Sequence, residues 1–309
     1  MMDVFQDILN TLNLKGALYF RTDFSSPWAI KVPDLPQAAR FHLVVQGQCH
    51  VSFASGEMTE LAAGDLVLIP RGHSHVLANE KTHRAPSLEK VLEKSRYDGK
   101  GVLVIGNGDP DASTQMICGH YSFRQGADHP ILRALPEYLV TTGTMRAKQP
   151  WLDDMLRLIV RRIFSNDVGS DAVVTRLSES VFIELLKIGI EQSERLKQIL
   201  AGFNDQHISN ALELIHAHPE HGWTVQSLAK KIGMSRSRFA DRFNQLIGIA
   251  PMTYLGDWRI QKALSLLNDS HCSVQQVASK TGYQSPAAFT RAFTGKMGIT
   301  PTKYRQNFA

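Results

Sequence analysis

The residue types best suited to chemistry in this chain are the histidines of GDLVLIPRGHSHVLAN, Gly64 to Asn79. His73 and His75 stand two positions apart, just after an apolar run. Imidazole nitrogens in such a place hold metals, move protons or line a binding pocket. A metal centre would make the protein an enzyme; a histidine-bearing bend would leave its job open. Strand alternation puts His75 inward and His73 outward, in the loop. Upstream, AARFHLVVQGQCHV offers Arg40, His42 and Cys49, and QMICGHYSF offers Cys118. Cys49 and Cys118 lie in apolar strands, where a thiol is either inert by burial or one half of a redox pair. Cys272, in HCSVQQ, reads as a surface residue ahead of a helix.

The elements that must position these residues fall into three stretches. Residues 16–80 alternate at period two in ALYFR, WAIKV, FHLVVQG, CHVSFA and LVLIP, with Gly and Pro between them. That is the signal of a β-sandwich or barrel. The charged loop Lys81–Gly101 interrupts it, either as a lid at the barrel mouth or as a solvated insertion. From Trp151 the texture turns helical. A helix over Asp171–Leu200 has an apolar face wide enough to meet the barrel on one side and a second chain on the other. AGFNDQ, Ala201–Gln206, is the expected hinge.

The last third is a repeat. TVQSLAKKIGMSRSRFADRFNQLIGIAPMTY matches SVQQVASKTGYQSPAAFTRAFTGKMGITPTKY, with Val225, Ala229, Gly233, Phe239, Phe243, Gly248 and Pro251 answered by Val274, Ala278, Gly282, Phe289, Phe293, Gly298 and Pro301. Each copy reads as helix, tight turn, helix. Thr224 and Ser273 cap the first helices, Ser235 and Ser285 the second, and Pro286 sits at a first helical position. The phenylalanines face inward. Arg236, Ser237, Ala240, Asp241 and Arg242 are left outward in one copy, and Ala287, Thr290, Arg291 and Lys296 in the other. The helix between the copies, about 18 residues, spans roughly 27 Å. It would hold two readers about one turn of B-DNA apart. Charge agrees: from Asp205 onward there are twelve Lys and Arg against six Asp and Glu, whereas the rest of the chain is close to neutral. A polyanion partner for the basic third follows.

Two family resemblances rest on these residues. WTVQSLAKKIGMSRSRFADRF, YLGDWRIQKAL and VASKTGYQSPAAFTRAFTGKMGITPTKYR resemble the DNA-binding domain of AraC/XylS-family transcription regulators. The resemblance implies base contacts from Ser237, Ala240 and Asp241 in the first reader and from Pro286, Ala287, Thr290 and Arg291 in the second. Arg236, Arg238 and Arg242 would hold phosphates. Asp241 would accept from a cytosine amino group or pair with a neighbouring arginine. Gly64, Pro70, Gly72, His75 and Asn79 resemble the second motif of the cupin superfamily, which implies a small barrel over roughly residues 15–125. Metal cupins add an H-x-H strand and a glutamate. Here the strand carries His42 alone and no carboxylate, short of a metal site. The barrel is therefore expected to bind a ligand rather than a metal, with His42, His75, Arg40, Cys49 and Cys118 as candidate contacts.

The expectation is an α+β chain of two domains: a cupin-like barrel over 1–150, a helical dimerisation region over 151–200, a linker over 201–206 and a double helix-turn-helix over 207–309. Its function would be sequence-specific transcription regulation under a small effector or oxidant, with no catalysis and no cofactor. The alternative is a metal-dependent cupin enzyme with an appended helical domain. Promoter DNA, a small-molecule effector, a second copy of the chain and RNA polymerase are the expected partners. No stretch approaches the roughly 18 consecutive apolar residues of a membrane span. The opening MMDVFQDILNTLNLKG lacks a basic region and a small-residue cleavage site, so a cytoplasmic location is expected.

Overall fold

The computed structural model describes residues 4–99, 101–106, 113–163 and 168–308. They form two compact units that interleave along the chain. The barrel unit takes Lys15–Ser122 and Pro136–Gln192; the helical unit takes the segment through Leu14, Phe123–Leu135 and everything from Ser193. The linear division at 150 and 206 therefore differs from the spatial one, because two early segments fold with the last third.

In the barrel unit β1 (Lys15–Phe24), β3 (Ala38–Gln46), β6 (Leu66–Ile69), β8 (Val102–Ile105), β9 (Thr114–Ser122) and β10 (Leu139–Thr141) make one sheet, in the order β10-β6-β3-β9-β1-β8. A second sheet has the order β2-β7-β4-β5, from β2 (Ala29–Val32), β4 (Gln48–Phe53), β5 (Met58–Ala62) and β7 (His75–Ala78). The pairings are antiparallel except β1 with β8. Inward residues of both sheets, among them Val44, Val51, Val67, Leu77 and Met116, form the core. Register sets His42 opposite Cys118. The motif asparagine, Asn79, accepts from the Trp28 backbone N–H at 2.6 Å and donates to Ser26 Oγ, tying the end of β7 to the turn before β2. The Lys81–Gly101 insertion is not structureless: Ser87 caps a helix, α2 (Leu88–Ser95), whose Leu88 and Val91 pack on the barrel core.

Behind the larger sheet lie α5 (Pro150–Ile163) and α6 (Ser170–Gln192), with a short α4 (Gly143–Ala147) before them. The wide apolar face of α6 is used up inside the unit. Val181, Phe182 and Leu185 are buried, and Phe182 meets Tyr121 of β9 with ring centroids 4.9 Å apart. The expected single helix Asp171–Leu200 does not exist. It breaks at Ser193, whose hydroxyl accepts from the Leu196 N–H and starts α7 (Glu194–Asn204) in the other unit. α6 as expected therefore cannot offer Val181 and Leu185 to a second chain.

The helical unit starts with α1 (Val4–Leu12) and α3 (Pro130–Ala134). α7 is followed by α8 (Gln206–Ala217), and Asp205 alone separates them. Its carboxylate accepts from the Ile208 N–H at 3.0 Å. Ala201–Gln206 is thus helix, cap, helix, not a hinge. α9 (Val225–Lys231) and α10 (Arg236–Ile247) form the first reader, and α12 (Val274–Lys280) and α13 (Pro286–Met297) the second. α11 (Pro251–Leu267) joins them and α14 (Pro301–Phe308) closes the chain. Phe239, Phe243, Phe289 and Phe293 are completely buried.

A buried polar chain runs through this unit. His129 Nδ1 accepts from the Ile131 N–H, so its Nε2–H donates to Tyr254 Oη at 3.1 Å. The tyrosine O–H then donates to His216 Nε2 at 2.7 Å, and His216 Nδ1–H to the Asp7 carboxylate at 2.9 Å. Lys262 closes the chain on the other Asp7 oxygen at 2.8 Å. Burial raises the Asp7 carboxyl, but His216 and Lys262 outweigh it and hold it below its usual value. Burial keeps His129 and His216 neutral by lowering both.

Candidate nucleic-acid interface and sensor core

Each reader is framed by its own sequence. Thr224 accepts from the Ser227 N–H while the Ser227 hydroxyl accepts from the Thr224 N–H, and Ser273 and Gln276 repeat this box. At the turns Gly233 and Gly282 take φ of +71° and +81°, a region that a Cβ disfavours. Ser235 and Ser285 then accept from the Arg238 and Ala288 N–H groups and open the second helices. With Phe239 and Phe243 inward, Arg236, Ser237, Arg238, Asp241 and Arg242 stand exposed and Ala240 half-buried. On the second reader Pro286, Ala287, Arg291 and Lys296 are exposed and Thr290 half-buried. The sequence thus brings the candidate DNA contacts to two outward helix faces.

Two of the cations expected to face DNA are already engaged. Arg242 grips Asp205 through its Nε at 2.9 Å and through a second nitrogen. Lys296 lies 2.9 Å from Asp257 and 3.3 Å from Asp128. Asp241, expected either to accept from a cytosine amino group or to pair with an arginine, makes no ion pair among the described residues; Asp205 has taken its neighbour Arg242 instead. Sequence reasoning missed all three gripping carboxylates. Asp205 falls in the expected hinge, although an aspartate just ahead of an apolar period is a helix-cap signal, and Asp128 lies far from α13 along the chain and leaves no local signal.

The barrel interior brings three of the five candidate ligand contacts together. His75 Nδ1 faces the His73 carbonyl at 2.8 Å and must carry the proton, which leaves its Nε2 bare. His42 Nε2–H then donates to it at 2.8 Å. That leaves His42 Nδ1 as acceptor for the Cys118 thiol at 3.0 Å. One set of tautomers satisfies every member of the chain, S–H to imidazole to imidazole to carbonyl. Burial drives His75 down to about 4 and His42 well below its usual value. Burial pushes Cys49 up to about 12 and Cys118 further up. Arg40, buried two residues before His42, adds to the lowering at both histidines. Cys49 sits on the opposite sheet in the same core. Cys272 is buried, not at the surface as expected: its carbonyl accepts from Arg305 and its side chain joins the α11–α14 core.

These donors do not fit a metal. The two histidines spend their facing nitrogens on each other, and Cys118 lies on the far side of the His42 ring. Among the described residues no group of three or more His, Cys, Asp or Glu side chains could hold an ion. The space beside His42 and Cys118 is small, about 20 Å³, room for one water. A larger groove of about 420 Å³ opens outside, between α2 and β8, lined by Trp28, Val91, Lys94, Val104 and Ile105.

Comparison with known proteins now decides the family. Residues 3–191 match the family model described as Cupin, and residues 228–307 the one described as Helix-turn-helix domain. The HTH-type transcriptional regulator AlkR of Acinetobacter baylyi is 31% identical over 99% of both chains. A putative AraC-like transcription regulator of Streptomyces antibioticus is 30% identical over 99% of both. The chain belongs to the AraC family of transcription regulators. An uncharacterized HTH-type transcriptional regulator of Haemophilus influenzae is also similar, 28% identical over 99% of both chains. As an AraC-family regulator the chain joins a cupin region to a helix-turn-helix domain that binds promoter DNA. No helix among the described residues is long and apolar enough to cross a membrane.

Proposed function

We propose that α10 and α13 enter successive major grooves of one promoter, and that the barrel unit reports a small-molecule effector to them. The observation that carries this is the pair of outward faces framed by identical caps, with Arg236, Arg238 and Arg291 exposed on them. Arg236 and Arg238 hold phosphates; Arg291 reads a guanine edge or a phosphate. The effector enters at the groove between α2 and β8, where Val91 and Val104 offer apolar surface and Lys94 a cation. Because the inner space holds only one water, a ligand reaching His42 and Cys118 has to displace Leu88 of α2, which lines it. The chain works in the cytoplasm without a cofactor and catalyses no reaction, and it recruits RNA polymerase once seated on DNA. Supporting the non-enzymatic reading, the barrel's imidazoles bond to one another rather than converge on a substrate.

Dimerisation, in this reading, uses α5 instead of α6. Trp151 is 80% exposed and Leu158 40%, one heptad apart on α5. Asp154 and Arg161, also exposed, share that spacing. Two such helices packed antiparallel about a twofold axis bring each aspartate toward the partner's arginine.

Two measurements test the proposal. Replacing Arg236 and Arg291 together by alanine should weaken binding to a promoter duplex at least tenfold and lower the salt slope by about 2. Unchanged affinity would remove the two-reader interface. Trp151→Glu should leave the melting temperature intact and halve the sedimenting mass; a variant that still sediments as wild type would remove α5 from the dimer.

A further inference from the structure

Segment 123–135 is chemically continuous with barrel strand β9, yet it is built into the helical unit. Its backbone is held at three points. Tyr304 Oη donates to the Gln125 carbonyl at 2.9 Å. The buried Gln261 side chain brackets the next turn, donating to the Gly126 carbonyl at 3.1 Å and accepting from the Asp128 N–H at 3.2 Å. Gly126 has φ +80°, and a Cβ there would lie 2.1 Å from the Met297 methyl of α13, so the segment lies flush on the second reader. Four charges then close a ring. Asp128 pairs with Arg133 at 2.7 Å, Arg133 with Asp257 at 3.0 Å, Asp257 with Lys296 at 2.9 Å and Lys296 with Asp128 at 3.3 Å.

We propose that residues 123–128 are an autoinhibitory strap, anchored where His129 and α3 are buried in the helical unit. Docked, they bring Asp128 to Lys296, where it joins Asp257 of α11 in competing with DNA phosphate for the ammonium. Released, they withdraw Asp128 and leave Lys296 with Asp257 alone, within reach of a phosphate. The strap begins five residues after Cys118, so a rearrangement of the Cys118–His42 pair reaches it along the strand itself. In these terms effector sensing is a competition: whatever displaces β9 pulls the strap, and whatever binds DNA favours the released strap by the same factor.

The proposal rests on the DNA-binding reading, and three substitutions of different charge separate the two. Asp128→Asn adds a positive charge, Arg133→Gln removes one, and Gly126→Ala changes none but strains the strap, where φ is +80° and a Cβ crowds Met297. The probe is a duplex enriched from a random pool by the full-length wild-type chain. All three variants should bind it about five- to tenfold more tightly at the same salt. With no DNA present, trypsin should cut all three faster after Arg124. Opposite shifts for Asp128→Asn and Arg133→Gln mean that net charge alone acts, and the strap is overturned. Weaker binding by all three means that the strap organises the readers rather than restrains them, which also overturns it. Failure of the wild type to enrich any duplex overturns the DNA-binding reading, whereas unchanged tryptic cutting overturns only the strap. Arg133 is exposed and Asp128 half-buried, so those variants keep the fold should Gly126→Ala lose it.

Discussion

An imidazole in a dry interior has to place two nitrogens, and the barrel solves this by letting one histidine complete the other. The solution works only while both rings are neutral. His75 resists protonation until about pH 4 in the folded barrel but takes up a proton near 6.5 in the unfolded chain. Between those values the unfolded state binds more protons, so stability falls as pH falls through the window. The shift corresponds to roughly 3 kcal/mol at its full extent. Melting curves from pH 7.5 to 4.5 should show this decline, and His75→Gln should flatten it. An equally steep decline in the variant would assign the effect elsewhere, to His42, His129 and His216. The same burial makes Cys49 and Cys118 poor nucleophiles. Native protein at pH 8 should leave both unmodified by iodoacetamide, while urea should expose them; rapid labelling of the native chain would contradict this.

At the scale of elements, the repeat was readable down to its caps because every device in it is local. A serine or threonine before an apolar run and a glycine after it act within four residues. The same locality explains what was missed. Ser193 looked like one more polar position on a long helix, although Ser-Glu-Arg-Leu is also how a helix starts. Periodicity cannot tell whether an apolar face meets a sheet or a second chain, so α6 was assigned to the dimer although Phe182 packs on Tyr121. The His42–Cys118 pairing was half legible: alternation turned His75 inward, but the register that sets β3 against β9 is long-range. α11 supplies a prediction at this scale. Gly256 sits in mid-helix with ordinary backbone angles and open space where a Cβ would go. Close packing does not explain it, and nothing in the structure does. Gly256→Ala should therefore stabilise the unit by about 0.5–1 kcal/mol, seen as a higher urea midpoint with an unchanged slope.

For the whole molecule, the decisive fact is that the DNA-binding unit is not contained in the last third. α1 contributes Val4, Ile8 and Leu12 to its interior, and Asp7 ends its polar chain. Burying three such side chains stabilises by on the order of 5 kcal/mol. That is comparable with the whole stability of a small domain. A fragment of residues 193–309 should thus be marginal, with a urea midpoint well below that of the full chain. A fragment that unfolds cooperatively at the full-length midpoint would show that α1 and the strap are dispensable for folding.

The position of α1 also orders events at the ribosome. It is synthesised before the barrel, yet the surfaces of α8 and α11 that receive it are made more than two hundred residues later. Until then its apolar face has no native partner, and long-separated contacts of this kind form slowly. A nascent chain can thus complete its barrel while its DNA-reading half is still unfinished. Grip on a promoter comes only after α13 has been translated.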